Sequence, residues 1–326
     1  MNAFPMQDLP WGVRRLMKTQ PLGQTGLQVS AFCLGAMRFG TTTDEATSFA
    51  ILDEYMSAGG AFVDTANVYA AWGGGKGGES ETVLGRWLRK RETRAGLFIA
   101  TKAGSRLQSG GRSLRADVLV RECDGSLKRL GIDTIDLYYA HFDDMTLPVE
   151  EVVAGLQKLV AAGKVRHLGA SNYYTWRLEA MRQASARAGV PTYCCVQQRY
   201  SYLQPLTGSS FGTQVFVNED LLAYLRSQQL PLMAYSPLLG GVYDKPDRDA
   251  GPQYAAAVNT ERLRVLREVA RQKGVTPNQL VYAWLLHHDF PVIPLVAASS
   301  VTQLRENLAA LTIALTPAEI RQLEIN

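Results

Sequence analysis

Four residues in this chain combine types and positions that could move protons. Asp64 ends the apolar run Ala61 to Val63, and Tyr69 follows it by five residues in the segment AFVDTANVY. Lys102 closes LFIATK, and His141 follows the run from Ile135 to Ala140. Each run reads as a buried strand, so its polar terminator is delivered to one rim of a sheet. A lone ionised carboxylate is costly to desolvate, which asks for an opposite charge beside Asp64, and Lys102 is the candidate. Tyr69, Lys102 and His141 could then surround one oxygen atom, with Tyr69 the hydroxyl able to deliver a proton. A free tyrosine titrates near ~10, and a useful acid at neutral pH needs that lowered by ~2 to 3 units, or roughly 3 to 4 kcal/mol. The Lys102 ammonium, at about 4 Å and an effective dielectric of about 20, supplies on the order of 4 kcal/mol. Asp64 is expected behind Lys102, because its charge would oppose that shift if it faced Tyr69. His141 is expected to donate a hydrogen bond that orients a carbonyl.

Other chemistries find less support. His167 lies inside a strand and the His287–His288 pair near a helix end, with no ligand spacing, so no metal is expected. The one G-x-S-x-G match, Gly208 to Gly212, lies inside the long loop LQPLTGSSFGTQV and not at a strand-to-helix elbow, and no cysteine sits at a strand end beside His141. A proton donor aimed at a carbonyl, without nucleophile or metal, implies a reduction whose hydride comes from elsewhere. A nicotinamide cofactor can supply it, with Ser171, Asn172 and Gln197 suited to its carboxamide and Tyr235 to stacking on its ring.

The elements that must position these residues alternate along the chain. A hairpin around Gln24-Thr25-Gly26 precedes strands expected near Phe32–Leu34, Ala61–Val63, Leu97–Thr101, Ile135–Ala140, Val165–Gly169, Tyr193–Val196, Pro231–Ala234 and Val292–Leu295. Helices are expected between them, from Thr43 or Asp44 to Ala58, and over 79–91, 113–130, 148–162, 174–188 and 218–227. Two helical stretches from Thr260 and a last crossover helix near Thr302 complete the pattern. Eight strands alternating with helices favour a closed (β/α)8 TIM barrel, an α/β fold, with the hairpin plugging the bottom and long loops at the C-terminal rim. Six strand ends then converge on one mouth, bearing Asp64, Lys102, His141, Ser171-Asn172, Gln197 and Tyr235-Ser236.

Composition is consistent with this. The 326 residues are 46% hydrophobic and 20% charged, and a net charge of +4 with interleaved signs gives no nucleic-acid surface. Residues 1–17 read as an extension with neither signal peptide nor membrane span, and residues 18–326 as one barrel. The four cysteines, Cys33, Cys123, Cys194 and Cys195, lack C-x-x-C spacing, which points to free thiols in a reducing cytoplasm. Gly73, Gly75 and Gly78 match G-x-G-x-x-G, but the match lies well beyond the strand end, in a glycine-rich loop.

In order along the chain, DTANVY, ATKAG, YYAHFDD, GASN, VQQRYS and AYSPLLGG resemble the motifs of the aldo-keto reductase superfamily from about Lys18 to Ala310. The resemblance implies NADPH-dependent reduction of aldehydes or ketones, with Tyr69 as acid and Asp64, Lys102 and His141 completing a tetrad. It implies an extended cofactor on Gly35, Ala36, Met37, Asp64, Ser171, Asn172, Gln197, Tyr235, Ser236, Pro237 and Leu238. The adenosine phosphate end would lie against Ser299, Gln303, Glu306 and Asn307, where amides at a helix start favour an anion. Family members often place a basic residue near positions 297 and 303 for the 2′-phosphate; this chain has Ala297 and Gln303, so Lys245 or Arg305 is the available replacement and NADH stays open as cofactor. Phe39, Trp72 and Phe142 are expected to line the substrate mouth. A second class within the same superfamily is a cofactor-sensing regulatory subunit with little turnover.

Overall fold

The computed structural model describes residues 17–71, 75–105, 113–245 and 247–325. Strand β1 (Thr19–Pro21) pairs antiparallel with β2 (Gln28–Ser30), Thr19 opposite Ser30. Their turn is held by Leu22 N–H donating to the Leu27 carbonyl at 3.0 Å and the Thr25 hydroxyl donating to the Leu22 carbonyl at 2.7 Å. Eight parallel strands follow: β3 (Cys33–Gly35), β4 (Phe62–Asp64), β5 (Phe98–Ala103), β6 (Ile135–Ala140), β7 (Val165–Ser171), β8 (Tyr193–Arg199), β9 (Leu232–Tyr235) and β10 (Val292–Val296). Pairing of Leu295 in β10 with Cys33 in β3 closes the sheet, giving the (β/α)8 barrel that the alternation predicts.

The crossovers carry α1 (Glu45–Ser57), α2 (Glu79–Arg91), α3 (Ala116–Leu130), α4 (Val149–Ala161), α5 (Thr175–Ala188), α6 (Glu219–Gln228), α7 (Ala257–Lys273) and α8 (Pro277–Leu285). After β10 come α9 (Val301–Leu308) and α10 (Pro317–Leu323). Asp44 caps α1 by accepting from Thr47 N–H at 2.7 Å. Helix α3 begins three residues later than expected and α7 three residues earlier, in both cases with no side-chain cap to mark the start. Helix α10 was not expected, although Thr316-Pro317-Ala318-Glu319 carries the same signal as Thr276-Pro277-Asn278-Gln279 before α8. In both, threonine and the residue three later bond each other's backbone N–H, with proline at the first helical position.

The pleat sorts side chains into two cores. Cys33, Phe62, Phe98, Ala100, Leu137, Tyr139, Cys195, Met233 and Ile293 fill the barrel interior, and Leu22 and Val29 of the hairpin join them as its floor. The hairpin reaches this position because Gly23, at φ 55°, lies so close to β8 that a Cβ would meet the Cys194 carbonyl oxygen. Outward-facing residues pack under the helices in a larger core. The N-terminal extension, apart from Met17, and Trp72 lie outside the described residues. All four cysteines are free thiols, and no helix among the described residues is long and apolar enough to cross a membrane.

Candidate active site

All the barrel strands except β6 end one to three residues later than the sequence suggests, which changes how the rim is built. Asp64, Ser171 and Tyr235 are the last residues of their strands, while Lys102 and Gln197 lie within theirs. They meet because each is on the inward phase of the pleat: Phe98, Ala100 and Lys102 alternate inward on β5, as do Phe62 and Asp64 on β4, and Cys195 and Gln197 on β8. The polar residues therefore form the top layer of the packed interior.

Lys102 is the centre of that layer and is fully buried. Its ammonium donates to Asp64 Oδ1, to the Thr65 carbonyl at 2.8 Å and to the Tyr69 hydroxyl at 2.7 Å. Tyr69 in turn donates to Asp64 Oδ1 at 3.4 Å, and Gln197 Nε2 donates to Asp64 Oδ2 at 2.9 Å. The ammonium also lies 4.7 Å from the Tyr69 ring centre and 5.7 Å from that of Tyr139, which forms the floor beneath it. His141 packs edge-on to Tyr69, centroids 6.1 Å apart, and stacks on Phe142 at 4.8 Å.

One electrostatic expectation is overturned. Asp64 stands beside Tyr69 as well as Lys102, so the lysine's charge reaches the phenol already opposed. Burial pushes the Tyr69 hydroxyl well above the ordinary tyrosine range, and the Asp64 charge adds to the rise. Burial likewise lowers the Lys102 ammonium, with Asp64 acting the other way.

Asn172 follows β7 with φ 59°, a left-handed conformation that asparagine tolerates. Its amide donates to the His141 carbonyl and to the Ser171 hydroxyl, both at 3.0 Å. Its side-chain oxygen accepts from the Tyr235 hydroxyl at 2.7 Å and from Val215 N–H at 3.1 Å. Two donors and two acceptor positions are thus engaged within the protein, which makes Asn172 a joint between three strand ends and the loop after β8.

A cleft of 1410 Å³ opens from this cluster along the rim to the start of α9. Among the described residues expected at the site, Gly35, Met37, Asp64, Tyr69, His141, Phe142, Ser171, Asn172, Gln197, Tyr235, Ser236, Pro237, Leu238, Lys245, Ser299, Gln303, Glu306 and Asn307 line it. Lys102 does not, because Tyr69 and Asp64 cover it. Ala36 and Phe39 do not either: Ala36 is fully buried with its carbonyl accepting from Ser80, and the turn from Ala36 to Phe39 folds the phenyl ring into the outer core. Arg305 points away, holding Glu54 of α1 through two bonds of 2.8 Å. Gln303 folds back so that its side-chain oxygen accepts from Ser299 N–H at 2.8 Å. Neither Gly75 nor Gly78 of the glycine-rich segment faces the cleft; Gly78 instead caps α2 at φ 89°.

The sequence reading missed Arg38, Arg248 and the segment Phe211–Gln214, all of which line the cleft. The loop after β8 was legible as long, but what pins it was not. Arg199 at the end of β8 donates to Gln214 Oε1 at 2.8 Å and lies 4.7 Å from the Phe211 ring centre, drawing the loop over the rim.

A closed barrel does not by itself define an activity, but sequence comparison gives the family. A sequence model of the aldo/keto reductase family matches residues 31–325, and the chain belongs to that family. Members are oxidoreductases that use nicotinamide cofactors. The chain is similar to the uncharacterized oxidoreductase YrpG of Bacillus subtilis, 30% identical with 93% of each chain covered. It is also similar to the norsolorinic acid reductase stcV of Emericella nidulans, 32% identical, and to norsolorinic acid reductase A of Aspergillus parasiticus, 31% identical. Both alignments cover 92% of this chain and 78% of the relative.

Proposed function

We propose that this protein reduces an aldehyde or ketone to an alcohol with NADPH, Tyr69 delivering the proton. The observation that carries this reading is the Tyr69 hydroxyl held 2.7 Å from a buried ammonium at the closed end of the cleft. The residues present suit an extended dinucleotide. Ser171 and Gln197 offer polar groups at the inner end, Tyr235 offers a ring anchored through its hydroxyl, and Ser236 and Leu239 hold strained positive φ values of 54° and 48° in the loop that borders the middle. Lys245 and Arg248 supply positive charge at the outer end, next to the α9 start. When bound, the nicotinamide supplies hydride to the carbonyl carbon. Every other requirement falls on the chain's own side chains.

The raised pKa of Tyr69 does not obstruct this role. As negative charge develops on the carbonyl oxygen, it approaches an alkoxide, a stronger base than a phenolate, so the phenol can give up its proton as hydride arrives. Lys102 then stabilises the phenolate it faces, and Asp64, tied by Gln197, keeps the ammonium in place. His141 borders the same space and can hold the carbonyl oxygen toward Tyr69.

We take residues 18–326 as a single catalytic barrel and the substrate as a small molecule; the names of the fungal relatives give norsolorinic acid as one compound reduced within this family. The test is titration of the protein with NADPH and with NADH, followed by quenching of tryptophan fluorescence, then addition of 4-nitrobenzaldehyde while nicotinamide absorbance is recorded. Tight NADPH binding and loss of absorbance are expected. Binding without oxidation across a panel of carbonyl compounds would favour a regulatory subunit.

A further inference from the structure

We infer that Glu122, a residue of α3 outside the cleft, is a positioning residue that clamps the Tyr69 loop to the end of β5. Its side chain is buried, 8% exposed, on the outer side of the barrel wall. One oxygen, Oε2, accepts two hydrogen bonds: from Asn67 Nδ2 at 2.9 Å and from Gly104 N–H at 3.0 Å. Asn67 lies two residues before Tyr69, and Gly104 two residues after Lys102. The same Asn67 donates its backbone N–H to the Lys102 carbonyl at 3.2 Å. Two of the groups that must meet for proton delivery are therefore joined behind the site by one carboxylate as well as in front by the 2.7 Å bond between them.

The need for such a clamp follows from how the loop is built. Beyond Asp64 the chain leaves the sheet, and the backbone of the loop turns on itself at Tyr69, whose N–H reaches the Ala66 carbonyl at 3.3 Å. Thr65 is fixed by the Ser80 hydroxyl at 2.7 Å, which anchors the start of the loop but not its tip. Glu122 provides the next fixed point along the chain. Arg121 and Arg129 are the cations whose charge reaches it, and Asn67 and Gly104 are neutral, so the clamp is an acceptor and not an ion pair.

This role rests on the proposed reductase mechanism for its catalytic consequence, but the clamp itself can be read without turnover. Because both bonds end on Oε2, Glu122→Gln can keep both with its carbonyl oxygen, whereas Glu122→Ala keeps neither. Hydrogen exchange over residues 65–71 should be slow in wild type and Glu122→Gln and faster in Glu122→Ala. With NADPH and 4-nitrobenzaldehyde, Glu122→Ala should lose kcat on the order of 10²-fold, as misplacement of a reacting group by about 1 Å does, with NADPH affinity and KM little changed. Glu122→Gln should restore kcat. The solvent isotope effect on kcat should grow in Glu122→Ala, since proton delivery is the step disturbed. Where Glu122→Ala does not fold, Asn67→Ala removes one arm of the clamp and should show the same pattern more weakly. Unchanged exchange and kcat in the alanine variants would overturn the inference, as would a Glu122→Gln variant as impaired as Glu122→Ala. A wild type that neither binds nucleotide nor turns over would instead remove the reductase reading, leaving the exchange data to decide the clamp.

Discussion

The two ends of the cleft are built by different means. At the inner end Asp64, Lys102 and Gln197 project from strands, are almost wholly buried and bond one another, so that each position is over-determined by the barrel. At the outer end Ser299 and Gln303 are exposed, and Lys245 and Arg248 sit on a loop. The inner end has its geometry fixed by the pleat, whereas the outer end carries its charges on exposed loop and helix positions. Substitutions should accordingly change turnover at one end and affinity at the other.

The largest effect should come from Tyr69→Phe. Removing a general acid costs roughly 10² to 10⁴-fold in rate, and this change keeps the ring packed against His141. NADPH titration by tryptophan quenching should be nearly unaltered, and full turnover in the variant would exclude Tyr69 as the donor. Lys102→Met should cut turnover comparably, but it differs in leaving Asp64 as an uncompensated buried charge. Breaking a buried pair in this way costs about 3 to 5 kcal/mol, so urea denaturation should shift strongly for Lys102→Met and little for Tyr69→Phe. Equal stabilities of the two variants would mean that Asp64 is held chiefly by Gln197.

The dependence of turnover on pH probes the inner end further. A tyrosine whose pKa is raised keeps its proton to higher pH, so activity that needs the proton is lost only as pH rises through the raised value. The reductive kcat should therefore stay level from about pH 6 to beyond about pH 9. Had Lys102 acidified Tyr69 by ~2 to 3 units, as the sequence alone suggests, activity would already fall above about pH 7 to 8. A descending limb there, absent from a Lys102→Met variant, would restore the original expectation.

At the outer end, Lys245→Ala and Arg248→Ala should each weaken NADPH binding by roughly tenfold, since hydrogen bonds to charged groups contribute about 1.5 to 3 kcal/mol. NADH affinity and kcat should change much less. Equal loss for both nucleotides would place these cations at the shared pyrophosphate.

This contrast also explains what could be read from the sequence. The alternation of strands and helices gives the barrel and the convergence of Asp64, Lys102 and Gln197 on its C-terminal rim, whereas the place of Lys102 and Gln197 within their strands, on the inward phase, emerges only from the structure. Distances between strands do not follow from that alternation, and the position of Asp64 beside Tyr69 depends on them. Likewise the side chain of Asn172 is of a suitable type for a carboxamide, but only the structure reveals that Tyr235, Val215, Ser171 and His141 already engage its polar atoms. Phe39 is an aromatic in a rim loop by sequence, yet the turn from Ala36 to Phe39 folds it into the core. Loop residues lack a periodic signal that states which way they point, which is why Arg248 went unnoticed and why the contact of Arg305 with Glu54 could not be read from the sequence.

Arg305 gives the smallest expected effect and the sharpest separation of the two candidate cations. It is bound to Glu54 on α1 by a two-pronged contact, its side chain 67% exposed, and it faces away from the cleft. An exposed pair of this kind contributes about 0.2 to 1 kcal/mol, so Arg305→Ala should lower the urea midpoint slightly. NADPH affinity should stay within roughly twofold of wild type, well short of the 1.4 kcal/mol that marks a tenfold change. If Arg305→Ala weakened NADPH selectively while Lys245→Ala did not, the guanidinium would have to leave Glu54 when the nucleotide binds. The outer end would then be rearranged by its ligand, and the Glu54→Ala variant, which releases the arginine in advance, should bind NADPH more tightly than wild type.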